Sequence, residues 1–223
     1  MGVLENLIAV AKAYKEFKNC FEYGKTTDQL LENFKKSLDV SLGEYEIVYD
    51  YIWGKESLNI DGQTTGYYPK DGDTLIMDIS VGKDGVWCDV CRTFFVGEIS
   101  KEQEQTFEFL KKALNVGQKA IKKGAKACDV YNAVNGEFLK IGKTLVHHAG
   151  HQVGEKPLMQ PQFLTDNNTL LELGKVYTIE PGLYEKFGIR IENNFLLTED
   201  GAVDLFEELL PLNIKEYLLN EKN

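Results

Sequence analysis

Asp78 and Asp89 flank a turn signal, Lys83-Asp84-Gly85, with apolar, strand-like residues on both sides. Asp78 sits in Leu75-Ile76-Met77-Asp78-Ile79, where an ionised carboxylate is costly unless something pairs with it. Strands over 73–81 and 86–96 joined by a two-residue loop put both carboxylates on one face, directly opposed or one step diagonal. Like charges so placed repel. A divalent cation between them removes the repulsion, and carboxylates suit hard or borderline metals. The plain alternative is two solvent-facing aspartates on an open sheet. A three-residue loop without a bulge would place them on opposite faces.

All three histidines lie in Val146-His147-His148-Ala149-Gly150-His151-Gln152-Val153-Gly154. A helical zinc pair of the H-E-x-x-H type needs a glutamate that this segment lacks, and Gly150 weakens a helix. A metal ligand followed by a glycine-rich turn fits better, because glycine lets backbone approach a site closely. A polar turn with incidental histidines is the bland reading. Two glutamates complete the set. Thr178-Ile179-Glu180-Pro181-Gly182 ends an apolar strand on a carboxylate, and Glu192 stands among Ile189, Ile191, Phe195 and Leu196. Each could instead be a strand-end charge paired with Arg190 or Lys186. A bulge or an odd-length loop is required to bring the two glutamates to one face.

The elements that must position these groups are legible in outline. Apolar residues at helical spacing predict a helix over 3–19. Thr26-Thr27-Asp28-Gln29 is a capping box opening a helix to about Leu38, and Ser100-Lys101-Glu102-Gln103 opens another to about Lys123, ended by Gly124. A further helix is expected from Cys128 to Ile141, stopped by Gly142. Strands are expected at 44–53, 73–81, 86–96, 144–148, 175–180 and 189–198, with a turn at Asp200-Gly201. Helices alternating with antiparallel hairpins predict an α+β domain with helices packed on a curved sheet. No linker or repeat interrupts residues 1–223, so one domain is expected. The amphipathic helix at 3–19 could cover the core or supply a homodimer contact.

Bulk properties exclude some partners. The chain has 223 residues, 43% of them hydrophobic, and 25 basic against 35 acidic side chains for a net charge of −10. That balance argues against nucleic acid, which requires a basic stripe, and against anionic membrane surfaces. The longest apolar runs fall short of a spanning helix. Met1-Gly2-Val3-Leu4-Glu5-Asn6 lacks a basic leader, so no signal peptide is expected, and the four cysteines are expected to be free thiols in the cytoplasm. Cys88 and Cys91 form a C-x-x-C, but a second such pair for zinc is lacking, and their odd spacing puts them on opposite faces of a strand.

Five segments together resemble the pita-bread metallopeptidases, the group of methionine aminopeptidase, prolidase and Xaa-Pro aminopeptidase. They are Gly72-Asp73 through Asp78, Cys88-Asp89 through Arg92-Thr93-Phe94, Gly150-His151 through Gly154, Thr178-Ile179-Glu180-Pro181-Gly182, and Gly188-Ile189-Arg190-Ile191-Glu192. The resemblance spans about residues 5–205, and His147 resembles the prolidase branch. Larger members carry an N-terminal domain, so this chain is expected to be a catalytic domain alone. The resemblance implies the pita-bread fold and two divalent metals held by Asp78, Asp89, His151, Glu180 and Glu192. Asp78 would bind through both oxygens, and Asp89 and Glu192 would bridge. Glu180 would accept the proton of an activated water, and Arg190 would orient the carboxylates. Carboxylate-rich ligation with one imidazole suits manganese, cobalt, iron or zinc.

The chain departs from that pattern in two places. The family carries a histidine upstream of the first ligand aspartate and another seven residues after the ligand histidine. Here residues 55–70 contain no histidine, and position 158 is Leu158. Tyr67, Tyr68 or Asp61 could substitute on the first side and His147 on the other, or these are plain loop residues. Two functions follow as expectations. One is a metal-dependent peptidase that removes N-terminal residues or cleaves short peptides, including Xaa-Pro bonds. The other is a catalytically impaired peptide- or protein-binding member of the same fold. A creatinase-like hydrolase working without metal is a weaker third, because it depends on histidines at the vacated places.

Overall fold

The computed structural model describes residues 2–220. The chain opens with α1 (Gly2–Asn19) and α2 (Thr27–Leu42), followed by β1 (Glu46–Trp53), β2 (Thr74–Lys83) and β3 (Val86–Val96). Next come α3 (Lys101–Ala120) and α4 (Ala127–Lys140). The second half is built from short strands: β4 (His151–Val153), β5 (Met159–Gln162), β6 (Val176–Ile179), β7 (Gly182–Tyr184), β8 (Gly188–Arg190), β9 (Asn193–Thr198), β10 (Gly201–Asp204) and β11 (Leu218–Leu219). One sheet runs β1-β2-β3-β11 and another β10-β9-β6-β4-β5, with β7-β8 as a separate pair.

The β2–β3 hairpin turns on Asp84 and Gly85, both with positive φ (52° and 74°), as a tight two-residue hairpin requires. Its residues sort by parity. Leu75, Met77, Ile79 and Val81, with Cys88, Val90, Phe94 and Val96, join the core shared with the helices. α1 seals that face: Tyr14 donates its hydroxyl to the carbonyls of Met77 (2.9 Å) and Val90 (3.0 Å), and Asn6 donates to Val86 (2.8 Å). Helix α1 thus covers the core. Phe94 is wedged among Phe17, Tyr14 and Tyr217, with ring centres 5.3, 5.7 and 5.7 Å away. Burial of such a side chain contributes about 2–3 kcal/mol.

The two sheets meet along β3. Glu192 donates its backbone N–H to Cys91 (3.0 Å), and Arg190 N and O both bond the Thr93 hydroxyl (2.9 and 2.8 Å). The Asn194 side chain accepts from Asp89 N at 3.3 Å and donates to Asp89 O. These three pairs share one antiparallel register, so side-chain amide and hydroxyl continue a ladder where backbone pairing is sparse. Arg92 locks the junction, donating to the carbonyls of Cys91 (2.9 Å), Glu192 (2.8 Å) and Leu210 (3.1 Å), to Asn193 and to the Tyr217 hydroxyl.

Both capping boxes form, on Thr26 with Gln29 and on Ser100 with Gln103. Several expected boundaries move. α2 continues to Leu42, past Leu38, because Leu42 still reaches the core. α3 stops at Ala120 rather than Lys123: Ile121 turns inward to be buried, and Gly124 serves the following turn. Residues 144–148 are not a strand; the segment bends, with Leu145 N bonded to the Asn135 side chain instead of a ladder partner. The expected strand at 189–198 is split into β8 and β9 at 191–192. All four cysteines are free thiols, and Cys88 and Cys91 face opposite sides of β3 as their spacing requires. Among the described residues, no helix is long and apolar enough to cross a membrane.

Candidate active site

The opposite parity of β2 and β3 faces a cavity of about 340 Å³. Asp78 is paired with Cys91 and Ser80 with Asp89, so Asp78 and Asp89 project from one face, one step diagonal. The β6–β9 ladder pairs Ile179 with Asn193, which sets Glu180 and Glu192 opposite each other at its next step. The odd-length excursion 181–191, with its own β7–β8 hairpin, supplies the register that the sequence left open. His151 enters on β4, with its N–H bonded to the Thr178 hydroxyl (3.2 Å). Gly150 makes that approach feasible. Its φ is 147°, and a Cβ there would lie 2.0 Å from the Thr178 carbonyl oxygen.

Asp78, Asp89, His151, Glu180 and Glu192 therefore converge. One oxygen each of Asp78, Glu180 and Glu192 lies within 4.8 Å of the others, and the same holds for ligand atoms of Asp89, His151 and Glu192. His151 Nδ1 lies 2.9 Å from the Gln152 carbonyl and so carries the proton. That leaves the Nε2 lone pair facing Asp89 (3.6 Å), Glu180 (3.6 Å) and Glu192 (3.8 Å). Burial lowers the His151 pKa and holds the ring neutral. Buried Asp89 Oδ1, Glu180 Oε1 and Glu192 Oε1 have no hydrogen-bond donor. A lone pair and three donorless anionic oxygens aimed at one another repel, whereas a divalent cation between them would satisfy all four.

The carboxyls respond to this crowding. Burial, with repulsion from Glu180 and Asp50, drives Asp78 up to about 6 against the pull of Arg190. Burial and their acidic neighbours raise Asp89 and Glu192 well above the usual carboxylate range. Glu180 differs: burial pushes it up, but His148, then His151 and His147, pull it down to about 2.

Several residues at the site had no assigned place beforehand. Asp50 on β1 stands across from Asp78, and Arg190 Nη2 reaches both, at 3.1 and 2.7 Å. His148 Nδ1 is 3.0 Å from Glu180 Oε1, an ion-pair approach whose angles do not make a hydrogen bond. Burial alone would lower the His148 pKa, but the Glu180 carboxylate outweighs it and raises it. His147 lines the cavity with both nitrogens engaged: Nδ1 lies 2.7 Å from the His148 carbonyl and Nε2 lies 3.1 Å from the Tyr184 hydroxyl. Alternation along β1 could have pointed to Asp50; nothing local distinguishes His148 from His147. Asp61 and Leu158 line the cavity. Tyr67 does not, since its hydroxyl is turned to Asp73 (2.8 Å), and Tyr68 is exposed outside it.

Residues 5–199 match the model of metallopeptidase family M24. The chain belongs to this family. Among M24 relatives, it is 30% identical over 230 residues to an uncharacterized peptidase of Methanocaldococcus jannaschii, covering 92% of this chain and 65% of that one. It is 32% identical over 136 residues to the Xaa-Pro dipeptidase of Pyrococcus furiosus, covering 59% of this chain and 39% of that one. The chain thus spans less than two thirds of the length of these relatives. Among solved structures, the prolidase of Pyrococcus furiosus superposes with a TM-score of 0.85 at 24% identity, covering 92% of this chain and 62% of that one. A dipeptidase of Mycobacterium ulcerans gives 0.85 at 22% identity, covering 92% and 56%. The α+β architecture is the pita-bread fold of these structures. M24 metallopeptidases use divalent metals, and the carboxylate–imidazole cluster has the donor set for them.

Proposed function

We propose that the protein is a metal-dependent peptidase that removes N-terminal residues or cleaves short peptides, Xaa-Pro bonds among them. One observation carries the reading: the His151 lone pair and the donorless oxygens of Asp89, Glu180 and Glu192 converge in a cavity large enough for a small peptide. In this reading Asp78, Asp89, His151, Glu180 and Glu192 hold two divalent ions, manganese, cobalt, iron or zinc. When bound, such a pair supplies a water of lowered pKa and polarises the scissile carbonyl.

The chain's own residues do the rest. Glu180 stays ionised and accepts the attacking water's proton at Oε1. Glu180 then returns that proton to the departing amine, while His148, its ion partner 3.0 Å away, favours the ionised carboxylate. His147, fixed between Tyr184 and the His148 carbonyl, holds His148 in place. Arg190 keeps Asp78 ionised and aimed. Residues 1–223 act as one catalytic unit, a view supported by the continuous apolar core shared by the described helices and strands.

A second reading keeps the metal and loses turnover: Leu158 lines the cavity where the family pattern has a histidine, so the site would bind peptide without cleaving it. Hydrolysis of a di- and tripeptide panel by Mn²⁺- or Co²⁺-loaded protein, against a chelated control, separates the two. Metal-dependent cleavage upholds the peptidase; bound metal without cleavage upholds the binding member.

A further inference from the structure

One wall of the cavity is the segment at 60–62. Ile60 offers its carbonyl to Arg190 Nη1 (2.6 Å), and Gly62 gives its N–H to Asp50 Oδ1 (2.9 Å). Gly62 O in turn accepts from Tyr51 N (2.9 Å), and Gln63 bridges Tyr51 in parallel. The segment is thus tied on both sides to the ion pair that also aims Asp78. Asp61 lies between the ties. It is exposed, lines the cavity, and has no hydrogen bond or ion pair among the described residues.

The cavity's other charges sharpen the point. Among the described residues that line it, Arg190 is the only Lys or Arg, and its two terminal nitrogens are committed to Asp50, Asp78, Ile60 and Tyr184. A peptide carries an ammonium at one end and a carboxylate at the other. The ammonium finds an unpaired anion here, whereas the carboxylate finds neither a free guanidinium nor a free ammonium. Val48, Pro157 and Leu158 add apolar wall for a side chain.

We propose that Asp61 receives the α-ammonium of the substrate, so that the protein selects a free amino end and makes no demand for a free carboxyl end. This rests on the peptidase reading and specifies it as an aminopeptidase. A charge-assisted hydrogen bond of this kind supports a preference of roughly tenfold or more.

The test compares alanyl-prolyl-alanine amide with its N-acetyl counterpart on Mn²⁺-loaded wild type, Asp61→Asn and Asp61→Lys. The wild type is expected to favour the free amine roughly tenfold in kcat/KM, mainly through KM. Asp61→Asn should lose most of that preference and Asp61→Lys should reverse it, with metal content by elemental analysis unchanged. A preference that survives intact in Asp61→Asn overturns the proposal. If no peptide is cleaved, the peptidase reading falls on its own, and the same pair is titrated calorimetrically. Tighter binding of the free amine, lost in Asp61→Asn, sustains the role of Asp61; equal binding, or none, overturns it.

Discussion

Asp50 stands directly across from Asp78 in the β1–β2 ladder, and one guanidinium nitrogen of Arg190 serves both carboxylates. Two opposed aspartates on one sheet face repel, so the arrangement depends on that cation. Replacing it exposes the dependence. Arg190→Met is expected to destabilise the metal-free protein by about 3–5 kcal/mol, since both carboxylates lose their partner. Chemical denaturation with and without Mn²⁺ checks this. A loss under about 1 kcal/mol in chelator would show that Arg190 is dispensable to the pair.

Asp50→Ala acts on the other side of the same contact. It frees Gly62 N and leaves Asp78 as the one carboxylate paired with Arg190 among the described residues. The expected cost is about 1–2 kcal/mol of stability. Because the 60–62 wall loosens, KM should rise more than kcat falls. A pure kcat effect would place Asp50 in the chemistry rather than in the wall.

Asp89→Ala separates stability from binding. It deletes one member of a buried, mutually repelling set, so the chelated protein should melt no lower than wild type while metal capture is lost. Elemental analysis after dialysis, paired with thermal melts, reads both quantities. A mutant that keeps two metals per chain sinks the ligand assignment.

Gly150→Ala tests the close approach of β4 to β6. The added methyl would meet the Thr178 carbonyl oxygen at 2.0 Å, in a backbone region that other residues avoid. A loss of about 2–4 kcal/mol is expected, with His151 displaced. Wild-type stability and metal affinity in this variant would contradict the geometry described.

The pH dependence of the metal-free protein follows from the raised carboxyls. Asp78 binds its proton more tightly folded, up to about 6, than unfolded at 3.8. Its contribution to stability is present below the unfolded value and is lost as pH rises through about 6. Asp89 and Glu192, also raised, extend that loss to higher pH. Glu180 runs the other way, but its stabilisation is complete above its ordinary value of 4.5 and stays flat from there. The lowered His147 and His151 add stability as pH rises to their ordinary value of 6.5 and are flat above it, so thermal melts in chelator should fall in temperature between pH 7 and pH 8. A melting temperature that climbs over this range would show that the cluster is not ionised as described.

Much of this was legible in the residues. The Lys83-Asp84-Gly85 signal put Asp78 and Asp89 on one face for any two-residue loop, opposed or one step diagonal, because side-chain parity follows from loop length; the structure takes the diagonal. Asp78, Asp89, His151, Glu180 and Glu192 converge as the resemblance implied. What eluded the sequence depends on distant packing. Asp50 gains meaning only once β1 is laid beside β2. His148, not His147, stands against Glu180, because Tyr184 and the His148 carbonyl hold both nitrogens of the His147 ring. Arg92 looked like one residue of a motif, yet it ties β3, Glu192, Leu210 and Tyr217 together through contacts up to 125 positions away.

The junction between β3 and residues 190–194 also governs when the site comes into being. Glu192, last of the converging groups in the chain, meets Glu180 across the local β6–β9 ladder, but it is brought to Asp78 and Asp89 by the pairing of residues 190–194 with Asp89, Cys91 and Thr93, about a hundred residues away in sequence. Such closure is late and slow compared with local turns. A chain still emerging from synthesis therefore displays its carboxylates and imidazoles singly, in water, where each has little hold on a divalent ion. Ion capture becomes a mark of finished assembly, and a chain that stalls short of it leaves the cell's metal untouched.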